Sequence, residues 1–188
     1  MLKPVLAMAV AAAASAAFAE PATFVVDPEH TVVTFEALHL GTSTHRGRVQ
    51  AKEGTVALDR AAKTGKADIT LDLASISTAS AGLQGVLRGE RAFNVAANPT
   101  AHFVADTFTF DGDKVASVAG TLTLNGKTHP VALKATRFNC YENRQLKREV
   151  CGGDFVGAIQ RSQYGLGFLP QVTPDEIPLQ IQIEAIRQ

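Results

Sequence analysis

Three histidines, two cysteines, one Arg-Ser pair and a few scattered acids are the side chains of this sequence best equipped for chemistry. His30, His39 and His45 stand nine and six residues apart, and no cysteine lies close to them. That spacing matches no familiar zinc or transition-metal ligand pattern, so no metal site is read here. His30 follows Asp27-Pro28 and suits two roles equally: a turn histidine bonded to Asp27, or a polar contact to a ligand. Ser75, Ser77, Ser80 and Ser162 lack the glycine-flanked elbow of a serine nucleophile. Asp68 and Asp72 alternate with apolar residues and read as the solvated face of one strand. Phosphate-cradling glycine loops are absent, and Gly152-Gly153 reads as a turn. No catalytic residue is assigned, and an enzyme acting on an apolar compound is a minority reading. Cys140 and Cys151 lie eleven apart, wrong for a thioredoxin-type pair, and flank a polar segment between two apparent strands.

The elements that position these groups are strands. Residues 120–133 set the pattern: Thr121 to Leu124 alternates, Asn125-Gly126 supplies a tight turn, and Val131 and Leu133 restart the period. Similar runs occupy residues 24–27, 31–38, 48–51, 55–58, 66–73, 102–110, 116–124, 131–138, 155–160 and 178–186. Each places its large apolar residues on one face: Val33 and Phe35, Ile69 and Leu71, Leu122 and Leu124, Val131 and Leu133, then Leu179, Ile181 and Ile183. Leu83, Val86, Leu87, Ala92 and Phe93 instead fall near helical spacing, which predicts a short helix among the strands. The fold class is all-β, and a barrel and a sandwich both solve the edge problem of so many strands.

The first 19 residues read as a secretory signal: Lys3, an apolar run shorter than a bilayer span, and Ala17-Phe18-Ala19 ahead of Glu20. Cleavage there leaves one domain, residues 20–188, exported and not held by stable membrane insertion. Export favours a disulfide between Cys140 and Cys151. Losing Lys3 leaves 17 basic and 18 acidic side chains, a formal charge of −1. With no basic excess and no tryptophan, nucleic acid is excluded as a partner.

Several blocks together resemble the YceI-like family of exported bacterial proteins. Val26-Asp27-Pro28-Glu29-His30-Thr31-Val32-Val33-Thr34-Phe35 is similar to its opening. His39-Leu40-Gly41 with Gly47, and Asp72-Leu73-Ala74-Ser75-Ile76-Ser77-Thr78, resemble its next blocks. Phe93-Asn94 with Asn98-Pro99-Thr100-Ala101-His102-Phe103, the hairpin 120–131, and Ile159-Gln160-Arg161-Ser162-Gln163-Tyr164-Gly165-Leu166 follow in family order. The chain departs from the family at Leu83-Gln84-Gly85-Val86-Leu87, where members usually carry an Arg-Asp pair and then His-Leu. A charged contact at the helical insertion is therefore missing.

The resemblance implies an extended, lipocalin-like antiparallel β-barrel in the periplasm, holding a polyisoprenoid, an isoprenoid quinone tail or a similar long-chain lipid. That lipid is the expected partner and no other cofactor is implied; a homodimer stays open. Val33, Phe35, Ile69, Leu71, Leu122, Leu124, Val131, Leu133, Leu179, Ile181 and Ile183 are then cavity candidates, with His39 and Arg161 as polar contacts. The alternative is a barrel filled by those same residues, serving as a structural or interaction module. Face alone does not separate lining from filling.

Overall fold

The computed structural model describes residues 21–188, so the expected signal sequence lies outside the described residues. Nine strands form in chain order: β1 (Ala22–Val26), β2 (Val32–His39), β3 (Ser43–Asp59), β4 (Thr64–Thr78), β5 (Thr100–Asp111), β6 (Lys114–Leu124), β7 (Lys127–Asn143), β8 (Arg148–Gln160) and β9 (Glu176–Arg187). The single α-helix among them, α1 (Ala81–Arg88), connects β4 to β5. All pairings are antiparallel, and the sheet runs β3-β2-β9-β8-β7-β6-β5-β4 before β4 pairs back onto β3. That closure makes an eight-position barrel and removes the sheet edges.

β1 and β2 share one of those positions end to end. β1 pairs with the far half of β3 and the end of β9, and β2 with the near half of β3 and the start of β9. Between them the chain leaves the ladder at residues 27–31. The buried Thr31 hydroxyl fills the gap, donating to the Glu184 carbonyl and accepting from the Glu184 N–H, both at 3.2 Å.

Asn125 (φ 50°) and Gly126 (φ 69°) form the expected tight turn between β6 and β7, with Leu124 opposite Lys127. Other expectations are corrected. The candidates 48–51 and 55–58 are one 17-residue strand, β3, which shifts register against β4 between Ala51 and Glu53 and then runs on through Glu53-Gly54. The polar segment after Cys140 is largely strand, because β7 and β8 stay paired out to Asn143 and Arg148. Gly152-Gly153 lies inside β8 rather than in a turn. A Cβ on Gly152 would collide with the Ile183 carbonyl of β9, and one on Gly153 with the Arg137 carbonyl of β7. The helix stops at Arg88, capped by Ser80 Oγ accepting from Leu83 N at one end and by Gly89 at the other. Ala92 and Phe93 follow in turns, where Phe93 N–H reaches the Leu87 carbonyl.

Strand direction sorts the connections into two ends. Short turns and both sheet termini lie at one end, including 60–63, 112–113 and 144–147. The β2–β3 turn, the segment with α1, the Asn125 turn and residues 161–175 crowd the other. Outward strand positions carry residues such as Asp68, Asp72, Gln180, Gln182 and Glu184, while their neighbours turn inward. Apolar inside and polar outside is the reverse of a membrane-spanning barrel.

Candidate functional site

The inward faces surround a cavity of about 580 Å³. Its size falls within the roughly 300–1,000 Å³ typical of small-ligand sites. At the end with short turns it is walled by buried groups including Phe24, Leu58, Val115, Cys151 and Ala185. At the other end it reaches exposed residues, among them His45, Val86 and Leu169. The site is therefore an apolar pocket with a mouth framed by the β2–β3 turn, α1 and residues 166–173.

All eleven aliphatic and aromatic candidates lie on this wall. Phe103, Phe108, Phe138, Phe155 and Phe168 join them, whereas Phe110, opposite Val115 in the ladder, packs against the core. The polar candidates His39 and Arg161 reach the cavity, and His45 joins them there. Register explains the histidines: β2 places His39 opposite Ser43 and Ala37 opposite His45, so the two rings are diagonal neighbours on the inner face. Their ring centroids are 5.1 Å apart, edge to face.

Arg161 borders the cavity and also holds a loop at its mouth. It is only 7% exposed. Nε donates to the Pro174 carbonyl at 3.0 Å, Nη1 to Phe168 at 2.8 Å and to Leu166, and Nη2 to Thr173 at 2.8 Å. Four of the five guanidinium N–H groups thus hold one loop at the mouth, and the side chain also lies over the Phe168 ring. A buried charge stays tolerable when its donors are satisfied in this way.

His30 and Ser162 leave the cavity altogether. His30 Nδ1 meets Asp27 Oδ2 at 2.7 Å on the outer surface, the turn role foreseen as one of its two options. That contact, and then the charge on Asp27, raises the imidazole pKa above 6.5. Partial burial pushes Asp27 upward, but the bonds from His30 and the Glu29 N–H outweigh it, and the carboxyl ends below 3.8. Ser162 donates through Oγ to Asp175 at 2.6 Å, fixing the other end of the Arg161 loop. This bond and the Ser162 N–H bond hold Asp175 below its ordinary value.

Sequence reasoning missed part of the mouth. Leu83, Val86 and Leu87 were seen as helical but not as lining, and Leu169, Val172 and Thr173 carried no strand or helix period to flag them. The Leu169-Pro170 step beside an irregular, apolar-containing segment was the one available signal.

Cys140 and Cys151 face each other across β7 and β8 and are joined by a disulfide. Glu149, the third member of the only metal-like cluster among the described residues, is paired with Arg60 and Arg187. Bonded sulfurs are not available as thiolate ligands, so this cluster is structural.

A closed antiparallel barrel around an apolar pocket defines the lipocalin-like class of binding folds. The chain belongs to the YceI-like family, whose domain description matches residues 24–185. A UPF0312 protein of Pseudomonas savastanoi pv. phaseolicola is 36% identical over 177 residues, covering 93% of this chain and 91% of that protein. One from Pseudomonas aeruginosa is 31% identical over the full length of both. The crystal structure of Burkholderia cenocepacia BcnA shares the fold with a TM-score of 0.68 at 23% identity, covering 85% of this chain and 99% of that one. A polyisoprenoid binding domain from Saccharophagus degradans aligns with a TM-score of 0.61 at 14% identity, over 90% and 100%.

Proposed function

We propose that this protein binds and carries a long-chain isoprenoid, such as a polyprenol or a quinone tail, or a similar lipid in its barrel. The carrying observation is the 580 Å³ apolar cavity itself, which reaches exposed residues at one end and is walled by buried ones at the other. A barrel filled by its own side chains would leave no such space. Each methylene-sized group taken from water contributes about 0.8 kcal/mol. A tail with dozens of carbons therefore offsets the ordering and association terms, of order 4–15 kcal/mol, with little need for a polar match. The relative from Saccharophagus degradans is described as a polyisoprenoid binding domain, which supports the same ligand class.

Binding rather than catalysis is the reading the lining supports. The wall is aliphatic and aromatic, and its one buried cation is occupied with loop carbonyls. Val33, Phe35, Ile69, Leu71, Leu122, Leu124, Val131, Leu133, Leu179, Ile181 and Ile183 take the tail. His39, with His45 beside it, meets the polar end at the mouth. The periplasm is the compartment. Support comes from the signal-like residues 1–19 and from a disulfide that an oxidising environment maintains.

Organic extraction of purified protein followed by mass spectrometry tests the proposal. We expect about one long-chain lipid per chain, and uptake of added polyprenol or isoprenoid quinone by stripped protein. Clean protein that takes up neither would remove the carrier role.

A further inference from the structure

We propose that the cavity mouth docks peripherally on a phospholipid bilayer, with Leu40 and Leu169 as the inserted side chains. The proposal rests on the reading of the cavity as a lipid site. A tail that fits it is held in a lipid phase before it is bound, and the mouth is where it must cross.

Two exposed leucines at that mouth occupy backbone conformations their side chains disfavour. Leu40 is 60% exposed with φ 50°, and Leu169 is 52% exposed with φ 50° immediately before Pro170. A bulky residue at positive φ is uncommon, and such strain concentrates at functional segments. The chain itself provides the comparison. At the neighbouring β6–β7 turn, Asn125 and Gly126 have φ of 50° and 69°; at the β2–β3 turn, Leu40 and Gly41 have 50° and 68°. Asparagine is the residue that geometry favours. The turn thus carries an exposed leucine where its backbone favours a polar residue, so the turn itself does not account for the leucine.

The two leucines belong to one connected rim. Leu40 N–H donates to the Val172 carbonyl at 2.8 Å, and Val172 N–H donates to the Leu169 carbonyl at 2.9 Å. Arg161 fixes that loop from behind through Phe168 and Thr173. Across the mouth, Val86 of α1 is 51% exposed and lines the same opening as Leu169 and Val172. The apolar rim is therefore continuous with the apolar interior, so a chain leaving a bilayer passes between lipid and cavity without entering water.

Two of the cations nearest the rim are already engaged. Arg46 at the mouth is paired with Glu36 at 2.7 Å, and Arg88, the only charge on α1, donates to the Ala74 and Ile76 carbonyls. Docking through this rim is apolar, and salt leaves it nearly unchanged.

The absence of tryptophan makes the test direct. Stripped full-length protein carrying Leu40→Trp is mixed with phosphatidylcholine vesicles that contain no isoprenoid. We expect a blue-shifted emission that brominated phospholipid quenches, and little change between low and physiological salt. Leu146→Trp, at the opposite end and 48% exposed, is expected to show neither effect. Leu40→Asn, which installs the residue found at the same φ in the β6–β7 turn, is expected to fold normally and lower vesicle partitioning about tenfold. Its uptake of polyprenol from detergent micelles should match the parent, since Leu40 does not line the cavity. Vesicle binding by Leu40→Asn equal to the parent overturns the proposal. So does concentration-dependent dimerisation that Leu40→Asn abolishes without any vesicle binding, which would assign the rim to a second copy. Failure of the parent protein to take up polyprenol from micelles would instead overturn the lipid reading of the cavity.

Discussion

The far edge of the Phe35 ring on β2 occupies the space that a side chain on Gly47 of β3 would take. The two residues are directly opposite in the ladder, and a Cβ on Gly47 would collide with three atoms of that ring. The glycine leaves room for the aromatic, and the aromatic covers the backbone the glycine exposes. Both belong to the mouth half of the barrel, where Phe35 forms part of the cavity wall.

We therefore expect Gly47→Ala to push the Phe35 ring toward the lumen. Overpacking of this kind costs about 1–3 kcal/mol, and the displaced ring narrows the channel. Thermal unfolding should show the loss, and uptake of polyprenol should fall with it. Adding Phe35→Leu to Gly47→Ala should restore both, because the shorter side chain clears the new methyl. A Gly47→Ala protein as stable and as lipid-competent as the parent would mean that the ring has somewhere else to go.

The inner faces were legible because strand period is strict. Ile69, Leu71 and Leu73 alternate with Asp68, Thr70 and Asp72, and no register of a half-buried strand exchanges the two sets without burying the acids. Asn125-Gly126 was legible for a similar local reason. The space inside was not, because it depends on how eight strands curve and on which opposing side chains meet across the lumen. Arg161 illustrates the deeper limit. Its partners are four backbone carbonyls on one loop, and carbonyls have no sequence signature. The motif surrounding it pointed to the right residue, while the role followed only from the loop's path. Likewise, the spacing of His39 and His45 says nothing until the β2–β3 register makes them diagonal neighbours.

The Arg161 arrangement predicts a localised response. A lysine there cannot fan out over Leu166, Phe168, Thr173 and Pro174 together, and its single ammonium leaves carbonyls unpaired at a buried site. We expect Arg161→Lys to lose about 2–4 kcal/mol, given that hydrogen bonds to charged groups contribute roughly 1.5–3 kcal/mol each and do not add fully. Hydrogen exchange should accelerate first at residues 165–175 and not in β3 or β4. Uniform acceleration throughout the barrel would show that Arg161 supports the whole fold rather than the mouth loop.

The disulfide joins two strands that already pair beyond it, out to Asn143 and Arg148. Chain-entropy reasoning gives at most about 3 kcal/mol for a loop of this size, and the residual hairpin structure of the unfolded chain lowers that. We expect both thiols to resist alkylation until reductant is added. The Cys140→Ser, Cys151→Ser double variant should then fold with a reduced melting temperature. Alkylation of both without reduction would contradict the bonded pair.

At the β1–β2 junction, pH should act through two linked groups. His30 has its pKa raised above 6.5, so its contribution is complete below 6.5 and fades as pH rises through the higher folded value. Asp27 is lowered from 3.8, so its contribution is complete above 3.8 and fades as pH falls through the lower folded value. The contact is therefore strongest between those limits. The stability difference between parent and His30→Asn should be flat across that window and should shrink as His30 loses its proton. A difference independent of pH up to 9 would mean that the charged form of His30 contributes nothing.

The sharpest test of the cavity is to fill it. Leu122 and Val131 are buried side chains on β6 and β7, and both border the open volume rather than only neighbouring atoms. Enlarging a side chain in a tightly packed core forces strain, but here the added ring has about 580 Å³ available to it. Leu122→Trp and Val131→Trp should therefore keep a cooperative unfolding transition near that of the parent while polyprenol uptake falls at least tenfold. The new indole also serves as a reporter, because bound isoprenoid quinone should quench it in whatever protein still binds. A variant that folds and takes up lipid as the parent does would show the position to be filling rather than lining. A variant that unfolds while its neighbours tolerate tryptophan would place that residue in the packed core. If every inward tryptophan abolished folding and none selectively reduced uptake, the interior would be behaving as solid, and the carrier reading would lose its physical basis.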